Sequence, residues 1–290
     1  MLKLSVPLNA PQQRLKDFLR RQAGLSLSAW RKLKTSGAIT INNNPAAPNS
    51  TIAPGDLITL VWAENCDITP VEMPLDIYYE DEYLLIINKP AGLLVHPTVK
   101  ESAHTLANGV LFYYRQRHLP FAYHPIHRLD KNTSGLIAIA KIAHIQFLLS
   151  ASHRLQRIYT AVAAGSLAAD SGCITAPIGR CPDSIIKRTV CDTGQPAVTR
   201  YRQLAAYANA SLVEIELLTG RTHQIRVHFA HIGHPLLGDD LYGGPLTHMK
   251  RQALHASSLS FEHPLTRKLI QINCPLPKDM EFAINTLKNP

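Results

Sequence analysis

The segment His127-Arg128-Leu129-Asp130-Lys131-Asn132-Thr133-Ser134-Gly135-Leu136 places a single carboxylate among cations. A cation beside a carboxylate favours its charged form, which a nucleophile or base requires. The Thr-Ser-Gly turn leads straight into the apolar run Leu136 to Ala140, so the spacing predicts an acid on a loop at the mouth of a strand. A kinase catalytic loop is excluded by residue order, since it needs His-Arg-Asp with an Asn five residues after the Asp. No P-loop and no Gly-x-Gly-x-x-Gly accompanies it. A glycosidase would use two carboxylates about 5 to 9 Å apart. Asp130 has no acidic neighbour for fifteen residues on either side. The pair Asp239-Asp240 lies in a Gly-rich turn, Gly238 to Gly243, where Asp is a common structural choice. Arg221, at the junction of a strand and a helix, is the natural counter-ion for Asp130.

Four histidines, His223, His228, His231 and His234, invite a metal reading. The stretch Thr222 to Ile232 reads as a helix with Thr222 as N-cap and Gly233 as the stop. Only His228 and His231 share a face of that helix, and it holds no Cys or carboxylate to complete a ligand set. No metal is expected, and these histidines read as satisfied or substrate-facing.

The elements that must position Asp130 belong to a chain of 290 residues, 46% hydrophobic and 18% charged, enough for one large domain and a small one. Net charge is +9, which favours a polyanionic partner, nucleic acid or an anionic surface. No apolar run approaches the ~18 residues of a membrane span, and Met1 to Pro7 lacks a signal-peptide core. The five cysteines form no C-x-x-C pair, which fits free thiols in a reducing cytoplasm.

Leu15, Phe18 and Leu19 share a helical face within 14 to 22, and Gly24 reads as its stop. Ser28 is a candidate cap for a second helix, Ala29 to Thr35. Two strands follow, Ala38 to Asn42 and Leu57 to Val61, separated by Asn-Asn-Asn-Pro and Pro-Gly-Asp turns. Between Arg14 and Val61 seven basic residues stand against two acids. A solvated surface mixes signs more evenly. Residues 63 to 74 read as a linker. Beyond them, strands are expected at Tyr83–Ile87, Leu136–Ala140, Ile158–Ala163 and Leu212–Leu217, with a helix at Ala143–Leu155. Strands that mostly precede strands argue for an α+β fold.

The N-terminal segment resembles the S4 RNA-binding module through Arg14-Leu15-x-x-Phe18-Leu19, the helix before Gly37-Ala38-Ile39-Thr40-Ile41-Asn42, and Gly55-Asp56-Leu57-Ile58. Asn43-Asn44 departs from it where a Gly usually follows the Asn. The resemblance implies RNA contacts from Arg20, Arg21, Arg31, Lys32 and Lys34. The Asp130 segment resembles the core motif of the RluA-type pseudouridine synthases, and four further segments agree in order. These are Asn88-Lys89-Pro90-Ala91-Gly92-Leu93-Leu94-Val95-His96-Pro97, Tyr159 to Gly165, Gly220-Arg221-Thr222-His223-Gln224-Ile225-Arg226-Val227-His228 continuing through Gly233 to Gly243, and Leu254-His255-Ala256 with His263-Pro264.

That resemblance implies an S4-like module at 1–63, a linker at 64–74, and at 75–290 a catalytic domain with a mixed, largely antiparallel sheet and a central cleft. It implies isomerisation of uridine in RNA to pseudouridine without a cofactor. The N1–C1′ bond breaks, the uracil turns in its pocket, and C5 bonds to C1′. Asp130 is then the catalytic carboxylate, adding to C1′ or taking the C2′ proton. Arg221 pairs with it, and Tyr159 stacks on the uracil and accepts the C5 proton. Ile225 packs on the other side of the base. Arg128 fills the space of the flipped nucleotide, and His127 and Thr133 complete the substrate pocket. The expected substrate is large-subunit ribosomal RNA, with transfer RNA as the alternative and a non-catalytic RNA-binding or ribosome-assembly protein as the competing class. The protein is expected to be cytoplasmic and monomeric.

Overall fold

Apolar runs and alternation from Ile77 onward build one ten-stranded sheet in the computed structural model, which describes residues 1–62, 67–152 and 154–288. Along the sheet the strands run Ser171–Thr175, Val198–Tyr207, Ala210–Leu217, Gln156–Ala164, Leu254–Glu262, Ser134–Ala140, Leu84–Lys89 and Ile77–Glu80. Leu269–Asn273 and His124–Pro125 pair off this path. Every pairing within the sheet is antiparallel except that of Ser134–Ala140 with Leu254–Glu262. The sheet is therefore mixed and largely antiparallel, and the parallel junction falls where the Asp130 loop enters.

Each strand expected in this sheet is present, longer by one to three residues, at Leu84–Lys89, Ser134–Ala140, Gln156–Ala164 and Ala210–Leu217, while the N-terminal strands run Ala38–Ile41 and Leu57–Val61. The expected helix at 143–155 ends earlier, at Ser152. The strand Ser134–Ala140 is buried at all seven positions, so it lies at the centre of the molecule with apolar side chains on both faces. One face joins the core of Leu85, Ile87, Tyr159, Ile215 and Phe229, and the other joins Leu84, Ile86, Ile145 and Leu149.

That second core continues into the N-terminal residues. Leu2, Val6, Leu15, Phe18, Leu19, Trp30 and Leu33 belong to the same buried cluster as Tyr83, Leu136, Ala138 and Ala140. The Lys3 backbone N–H also donates to the Tyr83 hydroxyl at 3.2 Å. Residues 1–62 carry a four-stranded sheet and a helix, Leu27–Ser36, capped by Ser26 rather than Ser28, because the Ser26 Oγ accepts the Ala29 N–H at 3.1 Å. Leu15, Phe18 and Leu19 do share a buried face, but Phe18–Gln22 widens to a π-type turn before Gly24 reverses the chain. Of the expected linker, residues 63–66 lie outside the described residues. Thr69 and Val71 are pinned to the helix Leu106–Gln116 through Asn108.

Gly135 explains the Thr-Ser-Gly turn. Its φ is +111°, and a Cβ there would lie 2.3 Å from the Ala256 carbonyl oxygen on the parallel neighbour strand. The strands can close at this point only without a side chain. We expect Gly135→Ala to lose at least about 2 kcal/mol of stability from forced separation of the two strands. Urea unfolding of the variant checks this, and a midpoint equal to the parent's would contradict the packing described.

Candidate active site

Asp130 sits in a turn closed by the Thr133 N–H on the Asp130 carbonyl at 3.1 Å. The turn is held from behind by the distant Asn88–Pro97 segment. Lys89 is fully buried, and its ammonium donates to the carbonyls of Pro90, Leu93 and Lys131 at 2.8, 2.9 and 3.0 Å. The Gly92 N–H reaches the same Lys131 carbonyl at 2.9 Å. Burial pushes the Lys89 pKa down to about 7, opposed by the nearby charge of Asp130. Three carbonyl acceptors suit the ammonium form, and together they fix the loop that carries the acid.

The cation against Asp130 is Arg226, not Arg221. The Arg226 Nη1 lies 3.2 Å from the Asp130 Oδ2. Its other edge forms a two-pronged pair with Asp239, Nε to Oδ2 at 2.7 Å and Nη2 to Oδ1 at 2.8 Å. Arg226 is 6% exposed and Asp239 0%. Burial works against the guanidinium's charge, yet the two carboxylates more than offset it and raise its pKa above the usual arginine value. The Tyr242 ring lies 5.0 Å from the guanidinium carbon, a cation–π contact on its face.

Arg221 fails to make the pair because it precedes the helix, which runs Gln224–His231. Its side chain is exposed, and its Nε donates to the Pro196 carbonyl at 3.1 Å. Arg226, one residue after Ile225, faces inward beneath the acid loop. Asp239 is likewise more than a turn-former. Its Gly-rich turn places a carboxylate in the interior, where the close approach of the Arg251 carbonyl demands glycine at 238.

The residue that caps this helix is His223, in the left-handed region at φ 58°, rather than Thr222. Its Nε2 stands 3.9 Å from the Asp130 Oδ2, and its Nδ1 lies 2.9 Å from the Tyr242 hydroxyl. Burial lowers its pKa, with Asp130 pulling the other way, so the ring is biased toward the neutral form. The Arg188 N–H donates to the same Tyr242 hydroxyl at 2.9 Å, so the phenol links the Arg188 backbone to the His223 ring. Gln224 anchors the helix start with bonds to Thr219, Arg221, Val198 and Thr199. His228 is buried between Thr199 and the Ala176 carbonyl. Among the described residues, no group of three or more His, Cys, Asp or Glu is arranged to hold a metal.

Asp130, Arg128, Thr133, Tyr159, Arg221, His223, Ile225 and Arg226 line one cavity of about 50 Å³, with Leu217 and Leu254 among its apolar walls. Tyr159 enters it from the strand Gln156–Ala164 at a bulge, where the pairing to Leu254–Glu262 skips one residue. A bulge re-aims the side chains beside it. Burial, with the charge of Asp130 adding to it and Arg157 opposing, raises the Tyr159 pKa to about 12, so the phenol is neutral near pH 7. His127 is turned away: its Nε2 accepts the Ala138 N–H at 3.2 Å, which serves the strand rather than the cavity. Thr133 lines the cavity but is held by the Gln252 side chain at 3.2 Å. The Asp130 Oδ2 faces both Arg226 and His223, and Oδ1 makes no hydrogen bond among the described residues. The arrangement offers a fixed carboxylate, apolar walls for a flat ring, and arginines at the rim.

Residues 83–231 match the model of the RNA pseudouridylate synthase family. The chain is 39% identical over 270 residues to the uncharacterized RNA pseudouridine synthase YjbO of Bacillus subtilis, covering 91% of this chain and 95% of that one. It is 37% identical over 283 residues to the ribosomal large subunit pseudouridine synthase D of Xanthomonas campestris, covering 90% and 84%. Among solved structures it resembles human RNA pseudouridylate synthase domain containing 1, with TM-score 0.57, 22% identity, and coverage of 78% of this chain and 98% of that one.

Three buried histidines frame this region. His127 and His255 flank the strand carrying the acid loop, the His255 Nδ1 lying 2.9 Å from the Ser134 hydroxyl, and His144 is buried on the helix against Ala23. Burial lowers their pKa values to about 3, 4 and 4 for His127, His255 and His144. The unfolded chain takes up these protons below about pH 6.5 while the folded chain resists, so stability is complete above that pH and falls as acid is added. Each histidine contributes a slope of about 1.4 kcal/mol per pH unit between about pH 6.5 and 4. Urea unfolding at pH 7.5, 6 and 5 should show this loss, and a flat profile would contradict burial of the neutral rings.

Proposed function

This chain belongs to the RNA pseudouridylate synthase family, of the RluA type, and isomerises uridine in RNA to pseudouridine; from that premise we propose that Asp130 is its catalytic carboxylate and large-subunit ribosomal RNA its substrate. The observation that carries the catalytic assignment is the Arg226 bridge, which presents Asp130 with one oxygen occupied and the other free beside Tyr159 and Ile225. Isomerisation needs a carboxylate acting on the sugar, at C1′ or at C2′, and walls that keep a detached uracil in place while it turns. The free Oδ1 serves the first need, and Tyr159, Ile225 and the leucines serve the second by excluding water. Tyr159 acts here as a neutral ring face, because a phenol with a pKa of about 12 is a poor proton acceptor at neutral pH. Arg128 is exposed at the rim, where it can fill the stack when a uridine flips out.

The ribosomal reading is supported by the large-subunit synthases among the relatives, transfer RNA being the alternative. Residues 1–62 are the RNA-gripping part of this reading, an S4-like module. Arg31, Lys32 and Lys34 are exposed on the helix whose Trp30 and Leu33 face the core, and Arg21 is exposed nearby. Arg20 contributes less, because its Nη1 is committed to the Leu25 carbonyl at 2.6 Å.

Asp130→Asn should cut pseudouridine formation at least about 10³-fold while RNA affinity stays within about twofold. Arg226→Lys should lose at least about 10²-fold in kcat, since an ammonium cannot bridge both carboxylates, whereas Arg221→Lys should stay within about fivefold. Carbodiimide mapping of pseudouridine in ribosomal and transfer RNA reads both, and substantial turnover by Asp130→Asn would sink the assignment. Exchanging Arg31, Lys32 and Lys34 for Gln should flatten the dependence of log affinity on log salt by about 2. An unchanged slope would remove the module's proposed role. Removing residues 1–62 outright is a poor test, because it would strip the shared core from Leu84 and Leu136.

A further inference from the structure

Beside the Asp130 cavity lies a second depression of about 420 Å³ whose lining holds four arginines, Arg128, Arg180, Arg188 and Arg221, and no carboxylate. Two of them, Arg128 and Arg221, line both cavities, so the two are contiguous. The other two come from the hairpin of Ile178–Arg180 and Arg188–Val190, one at the end of the first strand and one at the start of the second, paired in register. On the neighbouring large sheet, Arg200 is matched by Glu216 and Arg202 by Glu214, and Arg251, in the loop before Leu254, is matched by Asp279. Here no such match exists. Arg180 and Arg128 are exposed and carry no ion pair among the described residues, and the Arg188 guanidinium reaches only the carbonyls of Ile186 and Lys187, at 3.5 and 3.3 Å.

Like charges gathered in one hollow repel each other, so the arrangement is stabilised only when an anion enters. The hairpin's placement is also tied to the acid. The Arg188 N–H holds the Tyr242 hydroxyl, which contacts His223, which in turn faces Asp130. Gly194 lets the returning chain pack on Ile178, since a Cβ there would come within 2.5 Å of the Ile178 backbone. The depression is thus set at a fixed distance from the catalytic carboxylate.

We propose that this arginine depression is a phosphate-binding subsite, taking RNA backbone phosphodiesters next to the uridine held at Asp130. The inference rests on the proposed assignment of Asp130 as the catalytic residue. Arg180 and Arg188 are its dedicated cations, and they act on substrate binding rather than on the bond-breaking step. Arginine suits the task because its planar fork can meet two phosphate oxygens at once. Contacts of this kind position a strand without reading its sequence.

The test is the double variant Arg180→Ala with Arg188→Ala. Binding to a fluorescent 20-nucleotide poly(U) strand, titrated across salt, should lose about 1.4 from the slope of log affinity against log salt, the value for two single-strand phosphate contacts. With a ribosomal RNA transcript, KM should rise at least about tenfold and kcat should stay within about twofold. Arg180→Lys with Arg188→Lys should keep the parental salt slope, because the charges remain. A slope equal to the parent's in the alanine variant overturns the subsite, as does a fall in kcat with KM unchanged, which would mean the hairpin only supports the acid through Tyr242. Coincident thermal transitions confirm that the variant is folded, and if they differ, Arg180→Gln with Arg188→Gln takes its place in the same titration. If the parent protein forms no pseudouridine in any RNA, the Asp130 reading fails while the salt slope still decides the subsite.

Discussion

A buried guanidinium shared by two carboxylates governs the arrangement of this protein's active centre. Arg226 is 6% exposed, and neither it nor the fully buried Asp239 could be tolerated alone in the interior. Together they satisfy each other through two parallel bonds, and the remaining Arg226 edge is left to point at Asp130. Asp239 therefore sets where the guanidinium lies, and the guanidinium sets where the Asp130 carboxylate lies. The elements that supply these residues are a loop before the central strand, a helix, and a Gly-rich turn, so the pair also holds three distant parts of the chain together. Tyr242 closes the assembly, with its ring against Arg226 and its hydroxyl between Arg188 and His223.

The acid loop is fixed with equal care from the other side. Lys89 spends all three of its N–H donors on backbone carbonyls, one of them directly after Asp130 in the chain. Gly135 then allows the following strand to meet Leu254–Glu262 in parallel, which places the Asp130 turn at the strand's mouth. Preorganisation of this kind matters for a reaction in which the base must detach and rebind. A carboxylate already oriented needs no rearrangement when charge develops on the sugar.

The N-terminal residues share a continuous apolar core with the catalytic sheet, through Leu2, Phe18 and Trp30 on one side and Tyr83, Leu84 and Leu136 on the other. A module packed in this way holds its basic helix in a set relation to the strand that bears the acid. Combined with the arginine depression, the proposed reading gives RNA two cationic grips flanking one small, apolar pocket. In that proposed arrangement affinity arises chiefly from the backbone charge, and the pocket accepts a single base.

The sequence by itself determined the element types and singled out Asp130 as the candidate acid. Apolar runs and alternation specified the four strands of the large sheet, because one or both faces of each are buried, and the Thr-Ser-Gly turn announced a loop–strand junction at Asp130. Strand ends and helix caps shifted by a few residues, as with Ser26 in place of Ser28 and His223 in place of Thr222, because local hydrogen bonds choose the cap. The strand at Val198–Tyr207 and the arginine hairpin at Ile178–Val190 were not legible, since their burial comes from neighbours far along the chain. Only the tertiary structure decided which cation serves Asp130. Arg221 and Arg226 lie five residues apart in one motif, and nothing in their spacing says which will face inward. The helix begins at Gln224, so Arg221 stays in the exposed turn before it while Arg226 is carried into the interior. There Asp239, which reads in sequence as an ordinary turn residue, supplies the buried charge that only an arginine at that position can match.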